Sequence, residues 1–147
     1  MDDDLGDKSS RNSISANMAR FDRSTFMQAT LYGIYYDLNL WANFTYFLED
    51  PVNGDEFEQV DERFVHGGNV SHAIMEQELL QKPTRHTFGA QLRIDNIQDV
   101  ALYNTAGRTR LSIVRQDEVG KMALGLSYEN ETQWFDHLKT VFGVRVD

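Results

Sequence analysis

The 147-residue chain contains no cysteine, which excludes a disulfide framework and a thiolate metal site. Proline occurs only at Pro51 and Pro83, both between patterned segments, where a strand ladder loses no N–H. No apolar run approaches the roughly 20 residues of a membrane-spanning helix, and mean hydropathy is −0.50. Basic charge is scarce, with 14 Lys and Arg against 23 Asp and Glu for a net charge of −9. That balance argues against nucleic acid or an anionic membrane surface as a partner. The first residues, MDDDLGDKSSRNS, are acidic and polar with no apolar h-region, so they do not read as a signal peptide. Nucleophile elbow, phosphate loop, dinucleotide fingerprint and zinc spacing are all missing. The chain therefore does not read as an enzyme, and no cofactor is implied.

What the sequence does carry is alternation. Over residues 30–47 the even positions are Thr30, Tyr32, Ile34, Tyr36, Leu38, Leu40, Ala42, Phe44 and Tyr46, while Gly33, Asp37, Asn39, Asn43 and Thr45 fall on the odd side, interrupted by Leu31, Tyr35 and Trp41. The parity passes through Asp37-Leu38 unchanged and no glycine there supplies a positive φ, so this is one strand and not a hairpin. It predicts a strand over 25–47, far longer than the usual 5–6 or so residues. Phe88, Ala90, Leu92 and Ile94 oppose Gly89, Gln91, Arg93 and Asp95 in the same way. Met122, Leu124, Leu126 and Tyr128 oppose Ala123, Gly125, Ser127 and Glu129, and Leu138, Thr140, Phe142, Val144 and Val146 complete the series. Residues 11–21 alternate more weakly, and 64–75, with paired glycines, least regularly.

These segments predict an all-β chain: an antiparallel up-and-down meander of about six long strands. Residues 1–10 read as a polar N-terminal segment and 11–147 as the sheet. Short connections are expected at 21–24 and 135–137, and long polar loops at 48–63 and 99–110. The link 76–85 is intermediate, and its EQELLQK suits a short helical turn. Phe21, Phe26, Trp134 and Phe135 gather beside the short turns, as an interfacial aromatic girdle would. Long strands with one-sided long loops suit a transmembrane β-barrel, with even positions facing lipid throughout. A soluble sandwich or lipocalin-like module alternates too, with its apolar face inward. A porin-like passive channel is a further alternative. Exposure of Tyr32, Leu40, Phe44, Leu92 and Phe142 would favour the barrel, and their burial in a closed core the soluble module.

The segment NFTYFLEDPVNGDEFEQVDERFVHGG at 43–68 resembles barrel sequence of TonB-dependent outer-membrane receptors. The likeness runs on through 87–119, LGLSYENETQW at 124–134 and LKTVFGVRVD at 138–147. It rests on several segments in order and not on one diagnostic motif. The resemblance implies a partial receptor barrel in the bacterial outer membrane, contacting outer-membrane lipid. In the full-length parent it implies a plug domain, TonB as partner, and uptake of scarce small-molecule ligands such as iron–siderophore complexes. The chain shows no plug or TonB-box region and lacks a terminal aromatic, so it reads as a fragment.

Acidic residues crowd 49–62, which makes Asp55, Glu56, Glu58, Asp61 and Glu62 a candidate extracellular ligand loop, because hard cations favour clustered carboxylates. Charge-solvated loop is the commoner meaning of such a run. Arg93, Asp95, Glu129, Glu131 and Arg145 are the expected lumen-facing charges, with Lys139 and Asp147 beside them; cross-strand ladders are their commoner role. His66 and His72 would sit about 20 Å apart on one strand, too far to share a metal.

Overall fold

The computed structural model describes residues 4–147, the side chain at position 76 excepted. Six strands make up the fold: β1 (Gly6–Asp22), β2 (Thr25–Ala42), β3 (Glu56–Leu79), β4 (Lys82–Ala106), β5 (Thr109–Phe135) and β6 (Leu138–Val146). They form one antiparallel meander in the order β1-β2-β3-β4-β5-β6. The described residues contain no helix. The sheet does not close into a barrel, so β1 and β6 are its edges.

Strand regions reach further than the alternation alone implies. β1 takes in the expected polar segment from Gly6 onward, while residues 1–3 lie outside the described part. The long loop expected at 99–110 is instead two strands joined by Gly107-Arg108, with φ of 56° and 62°. The helical turn considered for 76–85 is likewise a tight hairpin at Leu80-Gln81, with φ of 51° and 61°. Two successive positive φ values are what a type I′ hairpin turn requires. Glycine meets that need at 107. Leu80 and Gln81 meet it at a steric cost, and so leave no compositional mark. β2 is shorter than expected: it stops at Ala42, and residues 43–55 form the loop.

The chain divides into two compact units. The first takes in Ile34–Val65 and Asp95–Lys121 with the start of β1. Its apolar core is small: Val60, Ala101 and Tyr103 pack together, each buried. Polar residues consolidate it. The Arg110 guanidinium lies 4.0 Å from the Tyr103 ring centroid and donates to both Glu58 oxygens, at 2.5 and 3.1 Å.

The second unit takes in Ile14–Gly33, His66–Ile94 and Met122–Asp147. Here the sheet is amphipathic. β5 and β6 pair with Leu126 opposite Val146, Tyr128 opposite Val144 and Asn130 opposite Phe142. Side chains alternate along a strand, so this face is apolar. β4 adds Phe88, whose ring is 5.2 Å from that of Tyr128. Ser127, Glu129, Glu131 and Gln133 take the other face with Arg145, Gly143, Val141 and Lys139. Leu124, Leu126, Phe142, Val144 and Val146 all stay exposed, Phe142 at 64%.

Even positions do not, however, face one way throughout. A Cβ on Gly68 would come within 2.6 Å of Leu31, and one on Gly67 within 2.8 Å of the Tyr32 hydroxyl. Leu31 therefore shares the side of Gly68, Val70, Ala90 and Leu92, with which it lines an apolar depression, and Tyr32 lies over Gly67. On β2 the odd positions Ala29 and Leu31 line this depression, together with Tyr32. Parity fixes sides within one strand, and pairing register relates the sides of neighbours. Of the five test residues, Phe44, Leu92 and Phe142 are exposed, while Tyr32 and Leu40 are half-buried. Phe44 lies in the loop and not on a strand.

Candidate functional site

The acidic run does not converge on a ligand. Only Asp55 lies in the loop; Glu56, Glu58, Asp61 and Glu62 are on β3, which corrects the loop expectation for those four. Glu56 is buried and accepts from the Thr105 hydroxyl at 2.7 Å and the backbone N–H groups of Gly107 and Arg108 at 3.2 and 2.9 Å. It clamps the β4–β5 turn from the neighbouring strand. Glu58 is taken by Arg110, Asp61 by Arg63, and Glu62 accepts from the Tyr35 hydroxyl at 2.9 Å. No group of three His, Asp or Glu side chains suited to a metal occurs among the described residues.

The expected lumen charges separate in a similar way. In the second unit Glu131 takes Arg85 at 3.0 Å and Lys139 at 3.3 Å. Arg145 pairs with Asp147 at 2.6 Å and donates to Gln91 Oε1 at 3.2 Å. Glu129 is exposed on the same face, opposite Gly143. Arg93 is an exposed β4 residue of this unit; Asp95, half-buried, belongs to the first. Glu131 thus pairs across to both neighbouring strands, while Arg145 pairs with Asp147 beside it and reaches β4 through Gln91.

The 43–55 loop has an internal scaffold built on two carboxylates. Asp55 accepts from the backbone N–H groups of Leu48, Glu49 and Asp50 at 2.8, 3.0 and 2.7 Å. Asp50 accepts from Val52 and Asn53 N–H and from Asn53 Nδ2, each at 2.9 Å. Hydrogen bonds to the charged form favour it. The Glu49 N–H, first among its partners, holds the Asp55 carboxyl below the usual carboxylate range. The Asn53 N–H does the same for Asp50.

Between this loop and the β4–β5 hairpin lies a cavity of about 600 Å³. Phe44 and Phe57 form its aromatic part, with ring centroids 5.6 Å apart at 43°. Leu102, Leu111 and Val114 supply an apolar floor. Asn104 Nδ2 donates to Ser112 Oγ at 3.0 Å, and both residues line the cavity. Alternation places Phe44 on a strand and reads 99–110 as a long loop, so the sequence alone does not bring these residues together. The Phe-rich stretch 44–47 beside an Asp-Pro-x-Asn-Gly turn was the available signal.

No protein-family model, curated protein or solved structure matches the chain.

Proposed function

We propose that the chain is part of the barrel of an outer-membrane TonB-dependent receptor, whose parent takes up scarce ligands such as iron–siderophore complexes. The observation that carries this reading is the amphipathic sheet of the second unit. It has one apolar and one charged face, and its large apolar side chains stay exposed. A soluble protein would bury that apolar face; in a barrel wall, lipid covers it and the charged face lines the interior. Strand lengths support the same reading, since β3, β4 and β5 run to 24, 25 and 27 residues. Three two-residue turns, Arg23-Ser24, Leu80-Gln81 and Asp136-His137, belong to the second unit; the first holds the 43–55 loop and the two-residue Gly107-Arg108 turn. Aromatic side chains flank the first and last of the second unit's turns, with Phe21 6.0 Å from Phe26 and the Trp134 indole donating to Thr140 Oγ1 at 2.8 Å. Edge backbone groups must be paired inside a bilayer, so β1 and β6 would meet further strands of the same barrel.

Cells carrying the parent gene provide the test. Membrane fractionation should place the protein in the outer membrane, and deletion of this segment should abolish uptake of ferric siderophore. Uptake should also stop with a protonophore or without TonB. Uptake indifferent to both would replace the receptor with a passive channel. Recovery of the protein in buffer as a monomer without detergent would sink the membrane reading altogether.

A further inference from the structure

We propose that the cavity between the 43–55 loop and the β4–β5 hairpin binds a small aromatic cation. Its volume of about 600 Å³ lies within the range of small-molecule sites. The tilted rings of Phe44 and Phe57 offer π faces to an aromatic ring and to a positive charge, both of which such faces attract. Phe44 is 80% exposed, so a ligand seated against it removes apolar surface from water. Asn104 and Ser112 supply hydrogen-bonding groups at the apolar floor.

Charge decides the sign of the ligand. Glu49, Asp50 and Asp55 are among the lining residues, and no Lys, Arg or His is. A loop can still hold an anion through its backbone N–H groups. Here those of Leu48, Glu49, Asp50, Val52, Asn53 and Gly54 already donate to Asp55, to the Asp50 carboxylate or to its carbonyl. With no cationic side chain in the lining and these loop amides engaged, the acidic loop favours a cation over an anion. Because the same bonds shape the loop in advance, binding carries little ordering cost. This pocket belongs to the first unit alone and stands independently of the receptor reading.

The test is equilibrium dialysis of the full chain in detergent micelles at neutral pH, with protein-free micelles subtracted. The probes are phenethylamine and the similarly sized anion 3-phenylpropionate. Saturable binding of phenethylamine, at least about tenfold tighter than the anion, is expected. Phe57→Ala should weaken it about tenfold, and Ser112→Trp should block it, while Leu124→Trp in the other unit leaves it unchanged. If Phe57→Ala loses its β-sheet circular dichroism, Phe57→Leu keeps volume without the ring and carries the same expectation. Equal affinity for the anion, or phenethylamine binding that neither Phe57 nor Ser112 substitution alters, overturns the proposal.

Discussion

Removing the Glu56 carboxylate should loosen the β4–β5 hairpin from a distance of some fifty residues along the chain. Glu56 is 7% exposed and accepts three hydrogen bonds, one from the fully buried Thr105 hydroxyl and two from the amides of the Gly107-Arg108 turn. Bonds to a charged acceptor are worth about 1.5–3 kcal/mol each, and an orphaned buried donor costs about 1–3. The two turn residues are exposed and their amides can turn to water, so the sum overstates the loss. Glu56→Ala should cost about 3 kcal/mol, mostly through Thr105. Glu56→Gln keeps the oxygen shared by Thr105 and Arg108 and forfeits the longest bond, to Gly107, for a loss of about 1 kcal/mol. Urea unfolding in micelles would measure both. Trp41, whose ring lies 4.9 Å from the Arg108 guanidinium, provides a local fluorescence signal, and hydrogen exchange at residues 107 and 108 should quicken. The clamp is wrong if Glu56→Ala unfolds within about 0.5 kcal/mol of wild type with those amides still protected.

Further predictions concern other parts of the sheet. Replacing Leu80-Gln81, both at positive φ, by Asn-Gly should stabilise the chain by about 1–2 kcal/mol; an unchanged urea midpoint would contradict the turn assignment. Gly68→Val drives a side chain into Leu31 and the Thr30 carbonyl and should cost about 1–3 kcal/mol. Gly120→Ala, with nothing within 4 Å of the added carbon, should stay within about 0.5 in the same assay. Asp50 and Asp55 have folded pKa values below the ordinary 3.8. Their contribution is thus complete above that value and lost as pH falls through the lower folded pKa. Proteolysis of the 43–55 loop should accelerate only in that acid range, and Asp55→Asn should make it fast at neutral pH as well. Val144→Arg on the apolar face should cost about 2–4 kcal/mol in lipid, whereas Glu129→Gln on the charged face should be nearly silent; similar losses from both would remove the distinction between the faces.

By itself the sequence determined the class of structure. Six strands, an all-β chain and the separation of Leu126, Phe142 and Val144 from Glu129, Glu131 and Arg145 all follow from alternation at period two, which is local to each strand. Relations between strands are not local. The side taken by Leu31 and Tyr32 depended on their register against Gly67 and Gly68, and shifting that register by one residue would exchange them. The hairpin at Leu80-Gln81 carried no glycine to announce it. Glu56 and Glu58 looked like solvated loop charge, because their partners Thr105, Arg108 and Arg110 lie 49 to 52 residues further on. Tertiary structure alone decided that the acidic run is mostly spent on clamping strands, and that the cavity forms where the 43–55 loop meets the β4–β5 hairpin. Side-chain type sets what a residue can pair with, and only the folded register brings the pair together.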